Sequence, residues 1–333
     1  MNRTISAILK TFGKPPDENL FINDERVAQY KDIDVQDDEL TSLPYSEISK
    51  RACEIYVDKI VKSTPEVARI ADRLQLHGVQ HIKVNTKSML LSGGEIVIVL
   101  DSHIQNILWV LNKCFLYGHQ QCTEHENVEL FKDALTYFAS LSLISQGNIL
   151  PFPNKPRTPP HADENLHHIL CSQTVMMEIF LCAHEVAHVL VKDGIYLQED
   201  DYVLGNDSEF LSSFGISEYQ GLRDELLADE VAFIITQNCF DPEDEDLVEI
   251  VGSSIFRMFA YFSKLAYVVH DGSESSEYIN WSSRALLIML KLKQMYTWGE
   301  FKSTGSMCVL LEERFDKAAE AVRTELFRGA RLD

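Results

Sequence analysis

The stretch Leu181-Cys182-Ala183-His184-Glu185-Val186-Ala187-His188-Val189-Leu190 decides the reading of this 333-residue chain. It lies in a long apolar run, Thr174 to Val191, that also holds Glu178. The run is long enough to approach a bilayer span, but its ionisable residues make it too polar to face lipid, and a buried helix with a chemical task fits it better. At 3.6 residues per turn, His184 and His188 stand one above the other on one face, about 6 Å apart, a separation that one tetrahedral zinc can bridge with two imidazoles. Glu185 lies about 100° further round, beside such an ion and not on it, where a carboxylate can hold and deprotonate a water.

A chain of this composition yields the pattern H-E-x-x-H by chance roughly 0.05 times, so the next helix carries much of the weight. There, Arg223-Asp224-Glu225-Leu226-Leu227-Ala228-Asp229-Glu230-Val231-Ala232 puts Glu225 and Asp229 one turn apart on a single face. Glu225 is expected as the third zinc ligand. Asp229 is expected to accept a hydrogen bond from the free ring nitrogen of a ligand histidine, His184 in the first instance, and so to fix its tautomer. Ala187 and Ala228 supply small residues for close packing of the two helices. Taken singly, a histidine pair also reads as hydrogen-bonded core and an acidic pair as a solvated face. Together, four polar groups interrupting two apolar helices would cost several kcal/mol unless paired or bound to metal. Three protein ligands and one open position is the pattern of catalytic and not of structural zinc.

Working outward, the expected fold class is mainly α (α+β), helical with one small β-sheet. Helical spacing covers Pro44 to about Leu76 in two helices, with Thr64 and Pro65 as cap and first-turn residue of the second. Strands are expected at His81 to Thr86 and Glu95 to Asp101, joined through Ser92-Gly93-Gly94. Two apolar stripes follow, Ile104 to Phe115 and Val128 to Leu141. Five prolines, Pro151, Pro153, Pro156, Pro159 and Pro160, then impose a stiff loop. The helix with the two histidines runs from about Asp163 to Lys192 and ends at Gly194. A polar loop reaches to about Ser217, and further helices are expected at Glu218 to Gln237, Leu247 to His270, Trp281 to Tyr296 and Leu310 to Phe327. The run Asp241 to Asp246 reads as a solvated connection.

Composition narrows the function classes. Acidic residues number 51 against 30 Lys and Arg, for a formal charge of -21, which repels phosphate backbones and anionic lipid, so neither nucleic acid nor membrane is expected as a partner. Seven scattered cysteines without a C-x-x-C pair fit free thiols in a reducing compartment. Lys10 interrupts the short apolar patch at Ile5 to Leu9, so no export signal is read, and the expected location is cytoplasmic. Residues 1–75 read as an acidic arm and helices, and residues 76–333 as the domain that carries the chemistry.

H-E-V-A-H followed by E-L-L-A-D resembles the gluzincin zinc metallopeptidases, which carry H-E-x-x-H on one helix and E-x-x-A-D or E-x-x-x-D on a later one. The metzincin pattern fails, because it needs Gly at Val191 and His at Gly194. The order of small sheet, helix pair, Pro-rich loop and zinc helices over about residues 80–235 is similar to the Lit-type phage-exclusion peptidases. The resemblance implies a zincin-like core in residues 76–333 and hydrolysis of a peptide bond in an intracellular protein, with phage defence as the setting. It also implies Zn2+ on His184, His188 and Glu225, Glu185 as catalytic base, and a substrate backbone aligned along an edge strand, for which Glu95 to Asp101 is the candidate. Related gluzincins often have a His-Pro box and a following Arg. This chain has Tyr278-Ile279 and Arg284 instead, which leaves His270, Tyr278 and Arg284 as candidate transition-state stabilisers. His161, His167 and His168, near the Pro-rich loop, have a substrate contact as the alternative to an ordinary core or surface role. Alternatives at the level of function are a regulatory peptidase that clips a repressor and a non-catalytic zinc-binding interaction protein on the same scaffold.

Overall fold

The computed structural model describes residues 45–79, 87–157, 159, 164–194, 220–240, 245–273, 275–295 and 302–328. Within them the chain is mainly helical with one small three-stranded sheet, as its periodicity implies. The elements are α1 (Tyr45–Ser63), α2 (Pro65–Ala68), β1 (Leu74–Val79), β2 (Lys87–Leu90), β3 (Ile96–Asp101), α3 (Ser102–Gln121), α4 (Glu124–Ser145), α5 (Glu164–Lys192), α6 (Gln220–Asn238), α7 (Glu245–Val269), α8 (Ser276–Met295) and α9 (Lys302–Arg328). Two compact units arise: residues 1–105 with 171–252, and residues 106–170 with 253–333.

The first unit holds the sheet and most of α5 and α6. Strand order is β1-β3-β2, with β1 parallel and β2 antiparallel to β3. Every residue of β3 is buried, which suits its run of β-branched and aliphatic residues in a central strand. Two sequence expectations change here. Leu74 to Leu76 belongs to a strand and not to the end of a helix: apolar residues alternate with Gln75 and His77, a period of two that propensity over the preceding helical stretch obscures. Glu95 to Asp101 is no edge, because β3 is paired on both sides, and among the described residues the edges are β1 and β2. The expected strand at His81 to Thr86 lies outside the described residues, as do the acidic arm, the polar loop to Ser217 and residues 241–244 of the acidic run.

The β2–β3 connection is a three-residue loop. Gly94 N–H donates to Leu91 O at 2.9 Å, Leu91 N–H donates to Glu95 O at 2.8 Å, and Gly94 has φ 82°, the left-handed residue such a loop needs. Arg73 fastens this turn to the helix with the histidines: its Nε donates to Gly94 O at 2.6 Å, and its Nη1 lies 3.7 Å from Asp193 Oδ2, just past the end of α5. Gly194, at φ 69°, ends that helix, with its N–H on Val191 O.

Every residue of α5 from Thr174 to Ala187 is buried, and its most apolar window is 89 % buried, as expected of a core helix that is apolar all round. Its polar residues are therefore held by partners. Glu178, fully buried, accepts a hydrogen bond from Tyr56 of α1, whose buried face is Ala52, Cys53, Tyr56 and Ile60. Burial pushes the neighbouring Cys53 and Cys182 thiols well above their ordinary range, with the Glu178 carboxylate acting in the same direction.

The second unit is helical among the described residues. Thr123 and Glu126 form a capping box at the start of α4, Phe131 and Tyr261 pack edge-on against Phe315 of α9, and Lys317 pairs with Glu124 at 2.7 Å. Helices α8 and α9 both begin earlier than the apolar spacing alone places them, at Ser276 and Lys302.

The Tyr56 contact generates the first prediction. Tyr56→Phe removes the hydroxyl donor from a buried carboxylate and should lower stability by about 1–2 kcal/mol. Urea unfolding of the variant beside the wild type, with the slope unchanged, measures this.

Candidate metal centre

Helices α5 and α6 bring His184, His188, Glu225 and Asp229 together. His184 and His188 rings meet edge to face with centroids 4.6 Å apart, the consequence of their one-turn spacing. Their Nε2 atoms are 3.0 Å apart. The Glu225 carboxylate closes the triangle, with Oε2 at 3.2 Å from His184 Nε2 and Oε1 at 3.4 Å from His188 Nε2. Ligand atoms of these three residues all lie within 4.8 Å of one another.

Asp229, fully buried, faces the other side of His184, with Oδ1 2.8 Å from Nδ1. An ionised carboxylate can only accept, so the ring donates from Nδ1. In the neutral ring, Nε2 then carries a lone pair and points it at the Glu225 oxygens and at His188 Nε2. A proton on His188 Nε2 or a cation between the groups relieves this convergence of acceptors. Ligands about 2.05 Å from a tetrahedral zinc lie about 3.3 Å apart; the two Nε2 atoms are 3.0 Å apart, and each has a different oxygen of Glu225 beside it, at 3.2 and 3.4 Å. Donor chemistry, spacing and the hydrogen bond from the ligand ring to Asp229 all fit such an ion.

Exposure differs across the group. The His184 side chain is 7 % exposed, whereas His188 and Glu225 are 30 % and 33 % exposed, so the centre opens to solvent on their side. Glu185 is buried beside the ligands. Burial pushes its carboxyl above the ordinary range, while the His184 and His188 imidazoles and a hydrogen bond from Ser88 pull it back down. Ala187 and Ala228 are fully buried.

The remaining candidates have their own partners in the second unit. His270 Nε2 is 3.0 Å from Glu277 Oε2, and the Arg284 guanidinium lies over the rings of Phe259 at 4.8 Å and Trp281 at 4.6 Å. Tyr278 lies in α8, with its side chain outside the described residues. His167 Nδ1 is 3.1 Å from Tyr117 Oη and its ring packs edge-on to Trp109. His168 is exposed on α5, and His161 lies outside the described residues.

Sequence reasoning missed Ser88. Nothing in Lys87-Ser88-Met89-Leu90 marks a serine for chemistry, and only strand pairing carries it to Glu185. Comparison of the chain with family models, with curated proteins and with solved structures finds no match.

Zinc added to the metal-free chain should raise its unfolding temperature, by the equivalent of about 2.7 kcal/mol at a hundred times the Kd. Glu225→Ala should abolish most of that gain, and Asp229→Ala should weaken zinc affinity by about 10- to 100-fold. Chelator competition measures both, and wild-type affinity in Glu225→Ala would place the third ligand elsewhere.

Proposed function

We propose that this chain is a zinc-dependent endopeptidase of the gluzincin type that hydrolyses a peptide bond in an intracellular protein, with phage defence as the setting. The observation that carries the reading is the convergence of two imidazole nitrogens and one carboxylate, 3.0 to 3.4 Å apart, with Glu185 buried beside them and the centre open to solvent on one side. A purely structural site would be closed by a fourth protein ligand, and among the described residues no fourth His, Cys, Asp or Glu joins the group.

His184, His188 and Glu225 would hold the ion, and Asp229 keeps His184 in the tautomer that offers Nε2. Bound zinc supplies Lewis acidity, which polarises the scissile carbonyl and brings the pKa of water down toward about 7. Glu185 holds the attacking water, takes its proton on a carboxylate oxygen as the water adds to the carbonyl carbon, and passes that proton to the departing amine nitrogen. The C–N bond breaks as the nitrogen is protonated, and the carboxylate returns to its ionised state. Burial suits this cycle, because a carboxyl shielded from bulk water holds a transferred proton more readily than an exposed one. The preference for an intracellular protein substrate rests on the resemblance to phage-exclusion peptidases and on the cysteine usage.

Glu185→Gln keeps the side-chain shape and removes the base. Cleavage should fall by about 100- to 10,000-fold with zinc content unchanged. Proteome-wide mapping of new protein termini in cells expressing each form checks this. New termini that persist in Glu185→Gln would overturn the base assignment, and their absence with the zinc-loaded wild type would favour a non-catalytic binding protein.

A further inference from the structure

The proline-rich segment after α4 has no part in the reading above. Residues 148–157, Asn148-Ile149-Leu150-Pro151-Phe152-Pro153-Asn154-Lys155-Pro156-Arg157, form no helix, strand or turn. Each proline fixes its own φ at about −65° and drives the residue before it out of the α region, so Leu150 to Pro153, Lys155 and Pro156 are confined to extended or polyproline II backbone. Burial along the segment has the matching period. Leu150, Pro153 and Pro156 are half-buried, and the residues between them are exposed. A polyproline II helix has about three residues per turn, so positions three apart share a face, and the segment rests on the protein along one of its three faces.

Both ends are tied to α4. Gly147, at φ 93°, closes that helix, and the Asn148 backbone N–H and side-chain Nδ2 each donate to Leu143 O at 3.0 Å. At the far end Arg157 Nε donates to Asp133 Oδ2, and its Nη2 lies 4.0 Å from Glu129 Oε2, one turn earlier in α4. The segment therefore runs back along α4, held at each end, and its conformation is set before any partner arrives. One outer face carries Ile149, Phe152 and Lys155, again three apart; Ile149 is fully exposed and Phe152 is 69 % exposed. Two large apolar side chains held out to water on a stiff backbone add nothing to the core, and suit a surface that another molecule covers.

We propose that residues 149–156 are a docking segment for another protein, one with a groove lined by aromatic rings and a carboxylate at one end: the rings take Ile149 and Phe152, and the carboxylate meets Lys155. Polyproline II segments suit such grooves because their backbone is ordered beforehand and loses little entropy on binding. Lys155 sets the sign of the partner's charge, since the neighbouring Arg157 is engaged by Asp133 and Glu129. A second copy of this chain and an anionic membrane fit less well, because a formal charge of -21 repels both. The docking segment does not depend on the metal centre or on peptidase activity.

The test uses the full chain with the photo-crosslinking substitution Phe152→p-benzoylphenylalanine, expressed in the cells that naturally produce it. After irradiation, mass spectrometry identifies the crosslinked protein and the peptide that carries the link, which should include an aromatic residue. That protein is then purified and titrated against the wild-type chain. Phe152→Ala should weaken its binding by about 30-fold, the loss typical of an aromatic anchor. Lys155→Glu should weaken it by about 3- to 10-fold, more at low salt than at high. Pro153→Ala, on the inward face, should cost about 2- to 5-fold by loosening the backbone, and Asn154→Ala, on the third face, should cost nothing. Unfolding temperatures of the Phe152, Lys155 and Asn154 variants should match the wild type, because these side chains are exposed. Links only to a second copy of this chain or to lipid, or no link beyond that from the same label at exposed Glu313 on α9, would overturn the proposal. So would a purified partner whose affinity ignores Phe152→Ala and Lys155→Glu, or whose linked peptide holds no aromatic residue.

Discussion

Much of the structure around the site follows from one contact, the hydrogen bond from His184 Nδ1 to Asp229 Oδ1 at 2.8 Å. It commits the ring to one tautomer and turns the opposite nitrogen into a lone pair aimed at Glu225 and His188. A buried aspartate opposite a nearly buried histidine is costly unless each satisfies the other, and here the pair does so across two helices. It fixes the rotation of α6 about its axis relative to α5, because Asp229 and Glu225 share one face one turn apart. Once Asp229 meets Nδ1, Glu225 can only arrive near Nε2. The triangle of donors is a consequence of that helix register.

The polar residues of α5 divide by partner. Glu178 is held by Tyr56, His184 by Asp229, and Glu185 by Ser88, so a helix buried on every side from Thr174 to Ala187 still carries two carboxyl groups and an imidazole. Each partner comes from a different element: α1, α6 and β2. The helix is therefore the hub of its unit, and the neighbours are specified by polar contacts as much as by apolar packing. Such contacts discriminate between packings more sharply than aliphatic surfaces do, since a wrong packing leaves a buried carboxylate unsatisfied.

The helices and the clustering of His184, His188, Glu225 and Asp229 were legible from the sequence because both depend on local periodicity. Spacing along one helix is enough to pair His184 with His188, and the same arithmetic pairs Glu225 with Asp229. What local pattern could not supply was the sheet. Leu74 to Val79 is short, follows a helical stretch, and carries His77 and Gly78, so its alternation is easily lost. Glu95 to Asp101 reads as a strand from its β-branched residues, yet whether it lies at the centre or the edge depends on partners distant in the chain, Leu74 to Val79 in particular. Continuous burial of all six residues of β3 is the mark of a central strand, and in hindsight an uninterrupted Ile96-Val97-Ile98-Val99-Leu100 run argues for that position. Ser88 was invisible for a related reason: its meaning comes only from the β2–β3 register.

The β2–β3 register is set at the turn. Gly94 is free to adopt a positive φ, which closes a three-residue loop, and the loop length sets which residue of β2 faces Ile98. Arg73 then holds the Gly94 carbonyl and lies beside Asp193, joining the turn to the end of α5, whose turns above carry the histidines and Glu185. A short hairpin fastened at its turn has little freedom to slide along the helix. With β3 enclosed on both sides, an extended chain that adds to the sheet would meet β1 or β2, the edges among the described residues. Under the proposed function a substrate backbone would be aligned along one of these edges, and a displacement of the β2–β3 hairpin would disturb that alignment.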